Sequence, residues 1–426
     1  MILYTLQPGD TVFALAQRYG VSAEDILQDN QIDNPQRLRP GQTLIIPVAY
    51  WEYYVTPGQS LYQIAEGFGV PLSLILEANP DIQNPALIQI NQMIRIPTSS
   101  VPKRGIDVNG YAYPTIAPEI LENTLPFLTY LSIFSYEAQP DGSLSTIDDT
   151  DLIALAKSAG VAPMMVLTNL ASAGRFDSDL AGTILSNPSL QDTLLDHVEA
   201  VLEEKGYWGL DIDFEYVYEN QREAYNAFLR RAATRLRPQG YHLSTAVAPK
   251  LRADQPGRLY EAHDYPVHGA FMDRVIIMTY EWGYLYGPPM AVAPIGPVRQ
   301  VLDYAVSAIP AEKILMGMPN YGYDWTLPYV QGTPARSISN LQALEIAQRY
   351  GADIQYDVDA QSPYFFYYDE QGRRHVVWFD DARSIQARLQ LVEEYGLAGV
   401  SYWTIDNFFL PNWLVLTSMY RVNKVL

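Results

Sequence analysis

Cysteine is absent from the 426 residues of this chain, and basic side chains are scarce. Without cysteine the chain can form neither disulfides nor thiolate metal sites. Lys and Arg number 28 against 48 Asp and Glu, which gives a net charge of −20. Nucleic-acid binding needs clustered Lys and Arg that neutralise phosphates, so this acidic balance argues against a nucleic-acid partner.

Long apolar segments are also missing from the sequence. No apolar run reaches the roughly 18 residues that a membrane-spanning helix needs, so no membrane span is predicted. The first ten residues, MILYTLQPGD, have neither the basic region nor the apolar stretch of a secretory signal peptide. The histidines, at positions 197, 242, 263, 268 and 375, show no metal-ligand spacing. We expect a monomer without a cofactor or a metal ion.

The first hundred residues contain one unit twice. The first copy reads YTLQPGDTVFALAQRYGVS from Tyr4, and the second reads YYVTPGQSLYQIAEGFGVP from Tyr53. Their ends also match, with PGQTLIIP at 40–47 and INQMIRIP at 90–97. Only two copies indicate two small separate modules rather than a solenoid. We predict a first module at 1–48, a second module at 51–98 and a polar linker at 99–105.

Each module is predicted to fold as strand, helix, helix, strand. Thr11 and Ser60 stand at N-cap positions, and Gly20 and Gly69 end the same helices. The repeated pattern resembles the LysM domain, which implies binding to N-acetylglucosamine polymers such as peptidoglycan or chitin. In that family the glycan lies between the loop after strand one and the loop before strand two. The resemblance implies contacts from eight residues, which could equally be turn and cap structure only: Gly9, Asp10, Thr11, Leu38, Gly58, Gln59, Ser60 and Ile88.

From residue 106 onward, short apolar runs alternate with helical patterns. This alternation over about 320 residues predicts an α/β fold, a (β/α)₈ TIM barrel at 106–426. Residues 323–380 interrupt this alternation. They contain a helix near Asn340–Arg349 and a hairpin, Tyr364–Asp369 with Arg373–Phe379. This pattern predicts a small α+β insertion after strand seven. The eight candidate strands are Asp107–Tyr113, Tyr130–Tyr136, Ala162–Leu167, Gly209–Glu215, His242–Ala248, Arg274–Tyr280, Lys313–Pro319 and Gly399–Trp403.

Candidate strand four carries acids on alternate positions. Side chains alternate along a strand, so Asp211, Asp213 and Glu215 share one face, and the apolar residues between them share the other. The apolar face must meet the helices, so the acids must point into the barrel. Like charges so close together raise one another's pKa, and a carboxyl that stays protonated can act as a general acid. Glu215 is nearest the C-terminal end of the strand, where barrel active sites open, and is the predicted proton donor.

A buried acidic cluster could instead bind a metal or pair with basic residues. Strand four contains no basic residue, and perturbed acids cluster at functional sites, so we favour catalysis. The strand resembles glycoside hydrolase family 18, whose signature is D-G-x-D-x-D-x-E. Gly209, Asp211, Asp213 and Glu215 match it, whereas Trp208 replaces the first Asp.

Three more segments resemble family 18. They are Met278-Thr279-Tyr280-Glu281 in strand six, where the family ends in Asp, Gly317–Gly322 in strand seven and Ser401-Tyr402-Trp403 in strand eight. One segment departs, because the family's S-x-G-G is Val166-Leu167-Thr168-Asn169 here. The predicted substrate-binding residues are Trp403, Glu281, Met278, Tyr111, Trp282, Asn320 and Tyr321.

The resemblance implies a retaining, substrate-assisted mechanism, an exception to the two-carboxylate scheme. The sugar's 2-acetamido oxygen attacks the anomeric carbon, and Glu215 protonates the leaving oxygen and then activates water. Asp213 stabilises the oxazolinium, Asp211 holds or tunes Asp213, and Tyr280 orients the acetamido group.

The order of domains narrows the expected substrate. Two LysM modules ahead of a family 18 barrel resemble the bacterial spore cortex-fragment-lytic enzymes. This implies an N-acetylglucosaminidase that acts on peptidoglycan in the spore or the extracellular cell wall. A chitinase is the alternative, and a catalytically inactive glycan-binding coat protein is a third possibility.

Overall fold

The computed structural model describes residues 1–98, 103–171 and 174–426. Positions 99–102 of the predicted linker lie outside the described residues. Its last residue is not linker, because the first barrel strand already begins at Gly105. Of the helices in the described ranges, none combines the length and apolar character needed to cross a membrane.

The first module is a two-stranded antiparallel sheet covered by two helices. Its elements are β1 (Ile2–Thr5), α1 (Val12–Tyr19), α2 (Ala23–Asp29) and β2 (Thr43–Ile46). Thr11 caps α1 by accepting a hydrogen bond from the Ala14 N–H, and Gly20 ends it in the left-handed conformation. Both cap predictions are therefore confirmed.

The second module repeats this arrangement. Its elements are β3 (Tyr50–Tyr54), α3 (Leu61–Phe68), α4 (Leu72–Ala78) and β4 (Met93–Pro97). Ser60 forms a capping box with Gln63, and Gly69 closes α3 at a φ of 62°. Each module buries its own small apolar cluster, so each has its own core.

The remaining chain forms the predicted (β/α)₈ barrel. The eight strands of the barrel follow one another in the sheet in chain order, and the first strand pairs with the last, which closes the barrel. All eight strands run parallel, because a helical crossover connects each strand to the next. Up to strand seven, the strands are β5 (Gly105–Ala112), β6 (Tyr130–Glu137), β7 (Ala162–Thr168), a short hairpin of β8 (Leu170–Ala171) and β9 (Arg175–Phe176), β10 (Gly209–Asp213), β11 (His242–Val247), β12 (Arg274–Ile277) and β13 (Ile314–Pro319).

Helices cover the outside of the barrel. The longest begins at Pro188 after the Asn187 N-cap and ends before Gly206, whose φ of 68° suits a helix C-terminus. Up to strand seven, the helices are α5 (Pro118–Thr124), α6 (Thr150–Ser158), α7 (Ser178–Leu185), α8 (Pro188–Lys205), α9 (Arg222–Leu236), α10 (Tyr265–Phe271) and α11 (Ile295–Ala308).

The predicted α+β insertion follows strand seven. Its sheet has the order β15-β14-β18-β17-β16 and includes the predicted hairpin. The remaining elements, in chain order, are β14 (Gly322–Leu327), β15 (Arg336–Ile338), α12 (Asn340–Tyr350), β16 (Gln355–Asp357), β17 (Ser362–Tyr368), β18 (Arg374–Trp378), α13 (Ala382–Glu394), β19 (Gly399–Trp403), α14 (Leu410–Met419) and β20 (Arg421–Val422).

Two barrel strands end earlier than predicted. β10 stops at Asp213 instead of Glu215, and β12 stops at Ile277 instead of Tyr280. In the second case the N–H groups of Thr279 and Tyr280 turn back to carbonyls two residues earlier and leave the ladder. Both segments thus leave the sheet early at the C-terminal rim of the barrel.

The first module is packed against the barrel and its insertion. Arg39 forms an ion pair with Asp353 at 2.6 Å, and the Ile354 N–H donates to the Pro40 carbonyl at 2.9 Å. Ile45 joins the apolar core of the barrel. Among the described residues, no hydrogen bond or ion pair joins the second module to the barrel. The first module is therefore the one attached to the catalytic unit.

Gly41 lies at the contact between the first module and the insertion. Gly41 has a φ of 84°, and a Cβ there would lie 1.8 Å from the Ile354 carbonyl oxygen. The equivalent residue of the second module is Asn91, with a φ of 63° and a side chain. We expect Gly41→Ala to detach the first module and to speed amide hydrogen exchange at residues 351–354. Gly58→Ala, at a φ of 82° with nothing within 4 Å, is the matched control, and equal exchange in both variants would contradict the docking.

Candidate active site

The acids of β10 point into the barrel, as the alternation predicts. Leu210, Ile212 and Phe214 are fully buried in the core between the barrel and its helices. Asp211 and Asp213 are 0% and 4% exposed on the opposite face. Sheet geometry therefore places the carboxyls together inside the barrel.

Asp211 is held by two hydroxyl groups. Tyr111 donates to its Oδ2 and Ser244 donates to its Oδ1, each at 2.5 Å. Burial raises the pKa of Asp211 to about 6, although both hydrogen bonds favour the charged form. Because both oxygens are occupied by these hydroxyls, Asp211 acts on Asp213 through its charge.

Asp213 and Glu215 share a buried environment. Burial raises the pKa of Glu215 to about 7. Burial, followed by the charges of Glu215 and Asp211, also raises the pKa of Asp213 well above its usual range. The Asp213 Oδ1 atom is buried and has no hydrogen-bond partner among the described residues. Two such carboxyls can hold a proton near neutral pH, which is the state a general acid requires.

A cavity of about 1170 Å³ opens above these acids. Its size suits a chain of sugars rather than a single small molecule. Eight of the predicted catalytic and substrate-binding residues line it: Asp213, Glu215, Tyr280, Trp403, Glu281, Met278, Trp282 and Tyr111.

Trp403 lies at the base of the cavity with its ring fixed in place. The edges of Phe134, Tyr111 and Tyr113 meet it at centroid distances of 4.9, 5.5 and 6.1 Å, in T-shaped contacts. The peptide bonds Phe134–Ser135 and Trp403–Thr404 are cis. A flat indole held by three other rings can stack against the apolar face of a pyranose.

Tyr280 stands beside the two acids. Burial, followed by the charges of Asp213 and Glu215, raises its pKa well above the usual range, so the hydroxyl keeps its proton. Gly317 makes this position possible, because a Cβ there would lie 2.8 Å from the Tyr280 ring. Tyr280 can therefore donate a hydrogen bond to a substrate oxygen.

Two tyrosine hydroxyls from the start of the insertion hold the Glu281 carboxylate. Its Oε1 accepts hydrogen bonds from Tyr321 and, at 2.9 Å, from Tyr323. Its backbone φ is 69°, in the left-handed region. Tyr321 thus reaches the cavity indirectly, through the carboxyl that it orients. The longer side chain of Glu, in place of the family's Asp, is fixed by these two hydroxyls.

The geometry does not support substrate contact by Asn320. It is absent from the described cavity lining, it is 4% exposed, and its amide donates to the carbonyls of Thr404 and Asn407. The amide joins the ends of strands seven and eight, which explains an asparagine here without a ligand. Among the described residues, Asn320 therefore joins two loops instead of lining the cavity, and its contact with substrate stays a prediction.

Trp208 lies at the opposite end of β10 from the cavity. It packs on His242 with centroids 4.6 Å apart and on Tyr130 at 5.5 Å. Its replacement of the family's first Asp therefore changes the closed N-terminal end of the barrel. In the part of the chain that the structure describes, no three His, Asp or Glu side chains are arranged to hold a metal ion.

The predicted glycan contacts of the modules include two side chains with internal roles. Asp10 accepts from the Tyr4 hydroxyl at 2.8 Å, and Gln59 accepts from the Tyr53 hydroxyl at the same distance. Thr11 and Ser60 are the caps described above. Gly9 and Gly58 are exposed, and Leu38 and Ile88 are half-buried against the module cores, so glycan contact by this set stays a prediction.

Several residues of the site were not predicted. Ser244 is one, although it lies directly opposite Asp211 in the sheet and is a polar residue in a buried strand. Six aromatic residues are others, most of them on loops, where a position carries no periodic signal. The unpredicted aromatic residues that line the cavity are Tyr113, Phe134, Phe176, Tyr216, Tyr260 and Tyr284.

A pH dependence follows from the raised pKa of Glu215. The acid form donates the proton, and that form is lost as the pH rises through about 7. We therefore expect kcat/KM for the hydrolysed glycan to fall above this pH, approaching tenfold per unit. The profile is measured by initial rates, with samples held at each pH and returned to about pH 6 to check that the enzyme survives. A flat profile to about pH 9 would contradict this pKa.

The comparisons with known proteins define the class of protein. Residues 164–407, more than half of the chain, match the family described as glycosyl hydrolases family 18. Residues 4–47 and 53–97 match the LysM domain. The chain belongs to glycosyl hydrolases family 18 and carries two LysM domains ahead of its barrel, so it is a glycosidase by class.

Individual relatives are similar over the whole chain. A cortical fragment-lytic enzyme of Bacillus subtilis (strain 168) is 43% identical, over 100% of this chain and 99% of the relative. The crystal structure of the spore cortex-lytic enzyme SleL from Bacillus megaterium QM B1551 is 40% identical, with a TM-score of 0.91, and covers 100% of this chain and 99% of that one. A chitinase from Chromobacterium violaceum is 25% identical, with a TM-score of 0.68 over 74% of this chain and 98% of that one.

Proposed function

We propose that this chain hydrolyses N-acetylglucosaminyl bonds in peptidoglycan, in spore cortex fragments released during germination. The observation that carries the proposal is its similarity to a cortical fragment-lytic enzyme across both full lengths, at 43% identity. Similarity confined to the barrel would support only a glycosidase. Here the two modules and the barrel match together, which favours the same wall substrate.

Bond cleavage begins with the substrate's own acetamido group. Its carbonyl oxygen attacks the anomeric carbon while the bond to the leaving oxygen breaks. Glu215, protonated through its raised pKa, gives its proton to that oxygen. The product is an oxazolinium ring on the sugar and a carboxylate at Glu215.

Asp213 and Asp211 stabilise the positive charge that forms. Asp213, with its unpartnered Oδ1, accepts the N–H of the oxazolinium. Asp211 adds negative charge behind it, held in place by Tyr111 and Ser244. Preorganised charge in a buried site stabilises a transition state more than in water.

Tyr280 and Trp403 hold the reacting sugar. Tyr280 donates to the acetamido carbonyl and so aims its oxygen at the anomeric carbon, while Trp403 supports the ring from below. Water then attacks the anomeric carbon, the Glu215 carboxylate takes its proton, and the oxazolinium opens with retained configuration.

The proposed substrate also indicates where the enzyme acts and what its LysM domains bind. We place it in the spore, at the cortex or coat, as a monomer whose LysM domains bind the same N-acetylglucosamine polymer. The first module, fixed to the barrel by Arg39 and Ile354, would hold the glycan at a constant distance from Glu215.

A digest of two substrates tests the proposal. Spore cortex fragments and chitin oligomers are each treated with the wild-type chain and with Glu215→Gln, and products are identified by mass and by the sugar at the new reducing end. We expect the wild-type chain to cut cortex fragments, leaving N-acetylglucosamine reducing ends. Cleavage of chitin alone would make the chain a chitinase, and binding without cleavage of either would make it a glycan-binding coat protein.

A further inference from the structure

The backbone around Glu215 has left the barrel sheet. The β10 ladder ends with the pairs Ile212–Thr245 and Asp213–Thr168, so Glu215 has no strand partner. Its N–H and carbonyl still need hydrogen bonds, because buried backbone polar groups are almost always paired. The residues that supply these bonds fix the backbone position from which the Glu215 side chain extends.

Asn169 supplies both bonds. Its Oδ1 accepts from the Glu215 N–H at 2.9 Å, and its Nδ2 donates to the Glu215 carbonyl at 2.9 Å. The second Nδ2 proton goes to the Asp177 carbonyl at 3.0 Å, and Asn169 is fully buried. Only an amide side chain can accept and donate in this way, so the bonds also fix its orientation.

Two other side chains hold the residues on either side. Ser178 donates to the Tyr216 carbonyl at 2.6 Å, where the chain turns with a φ of 54°. His263 accepts from the Ala248 N–H through Nδ1, so its Nε2 carries the proton and donates to the Phe214 carbonyl at 3.0 Å. The segment is thus held by side chains instead of a neighbouring strand.

The same amide arrangement occurs in each of the two modules. Asn30 bonds the N–H and the carbonyl of Ile45, and Asn79 bonds both groups of Arg95. In the modules this locks one backbone residue beside a helix. At Asn169 the residue that is locked is the predicted proton donor.

We propose that Asn169 is a positioning residue that sets the height and direction of Glu215 over the leaving oxygen. This inference rests on the role proposed for Glu215. A reacting group misplaced by about 1 Å loses on the order of 10²-fold in rate, so loss of both bonds has a large catalytic effect. Asn169 does not contact the substrate, and it acts only through Glu215.

The test separates proton donation from binding and folding. Asn169→Leu keeps the volume and removes every hydrogen bond. Each enzyme is assayed on N-acetylglucosamine glycosides with a sugar leaving group, which needs a proton, and with a nitrophenyl leaving group, which needs little help. We expect Asn169→Leu to lose about 10²-fold in kcat with the sugar leaving group and less than about tenfold with nitrophenyl, with KM nearly unchanged.

Asn79→Leu is the matched control, because it removes the same bonds in the second module, far from the acids. We expect it to lower thermal stability and leave kcat on these short substrates unchanged. Equal losses of Asn169→Leu on both leaving groups would overturn the proposal, since they would indicate a purely structural role. If the wild-type chain cleaves neither these glycosides nor spore cortex fragments, the proposed function itself fails, which is a distinct result.

Discussion

Glu215→Gln is expected to lower hydrolysis of soluble oligomers of spore cortex glycan by about 10⁴-fold, at the upper end of general acid–base effects. The size follows because one carboxyl serves both steps, as acid toward the leaving oxygen and as base toward water. Gln has nearly the same shape and keeps the cavity intact. Initial rates on soluble oligomers measure the loss, and pull-down with insoluble peptidoglycan measures binding, which we expect to be unchanged.

A stability measurement accompanies this variant. The pKa of Glu215 is raised by burial in the folded chain to about 7, above its ordinary value of 4.5, so charging this carboxyl destabilises the fold as the pH rises. Glu215→Gln should therefore raise Tm at about pH 8 and leave it unchanged near pH 4. Glu204→Gln, on the exposed face of α8, serves as the control. We expect it to change neither the activity nor the difference between Tm at about pH 8 and Tm near pH 4. Activity retained within tenfold in Glu215→Gln would rule out Glu215 as the proton donor.

Asp213→Asn is expected to reduce kcat by about 10² to 10³-fold, a magnitude typical of removing one charge-stabilising group from a transition state. The negative charge beside the oxazolinium disappears, whereas the shape of the site is kept. Because Asp213 also raises the pKa of Tyr280, the variant brings that pKa down toward its usual range.

The outcome that matters for Asp213 is the dependence on the leaving group. Its charge acts on the sugar and not on the leaving oxygen, so glycosides with a sugar or a nitrophenyl leaving group should lose activity to a similar extent. Parallel initial-rate measurements on the two glycosides check this. A loss confined to the sugar leaving group would mean that Asp213 acts through the proton on Glu215 instead.

The strand-four acids could be predicted from local sequence because their signal is local. An alternation of acid and apolar residues fixes two faces of a strand, and burial of one face determines the other. The same reasoning placed Leu210, Ile212 and Phe214 under the helices, where they are found. Helix caps such as Thr11 and Ser60 were predictable for the same reason.

The end of the strand could not be predicted in this way. Whether β10 continues to Glu215 depends on how far β7 and β11 extend beside it, which is a long-range property. For the same reason the sequence did not reveal that Asn169 bonds Glu215 or that Ser244 bonds Asp211. Each of these pairs joins residues that only the closed barrel brings together.

Resemblance to the family motifs predicts cavity-lining residues that physical reasoning alone does not identify. It also includes a residue that does not line the cavity. The family segments predict Trp403, Met278 and Tyr280 as site residues, and all three line the cavity. The same segments predict Asn320, whose amide bonds the loop after strand eight. A motif identifies residues near a site, and the structure shows which of them line the cavity.

The central claim, that the substrate's own acetamido group attacks in place of water, is tested most directly by proton NMR of the first product. Cleavage of a soluble cortex fragment at its β-linked N-acetylglucosamine is followed within the first minutes, before the new reducing end mutarotates. Two successive displacements at the anomeric carbon predict that the β-anomer forms first and then relaxes to the mixture. If the α-anomer forms first, water attacks directly with inversion, and the roles assigned to Asp213, Tyr280 and the acetamido group are wrong.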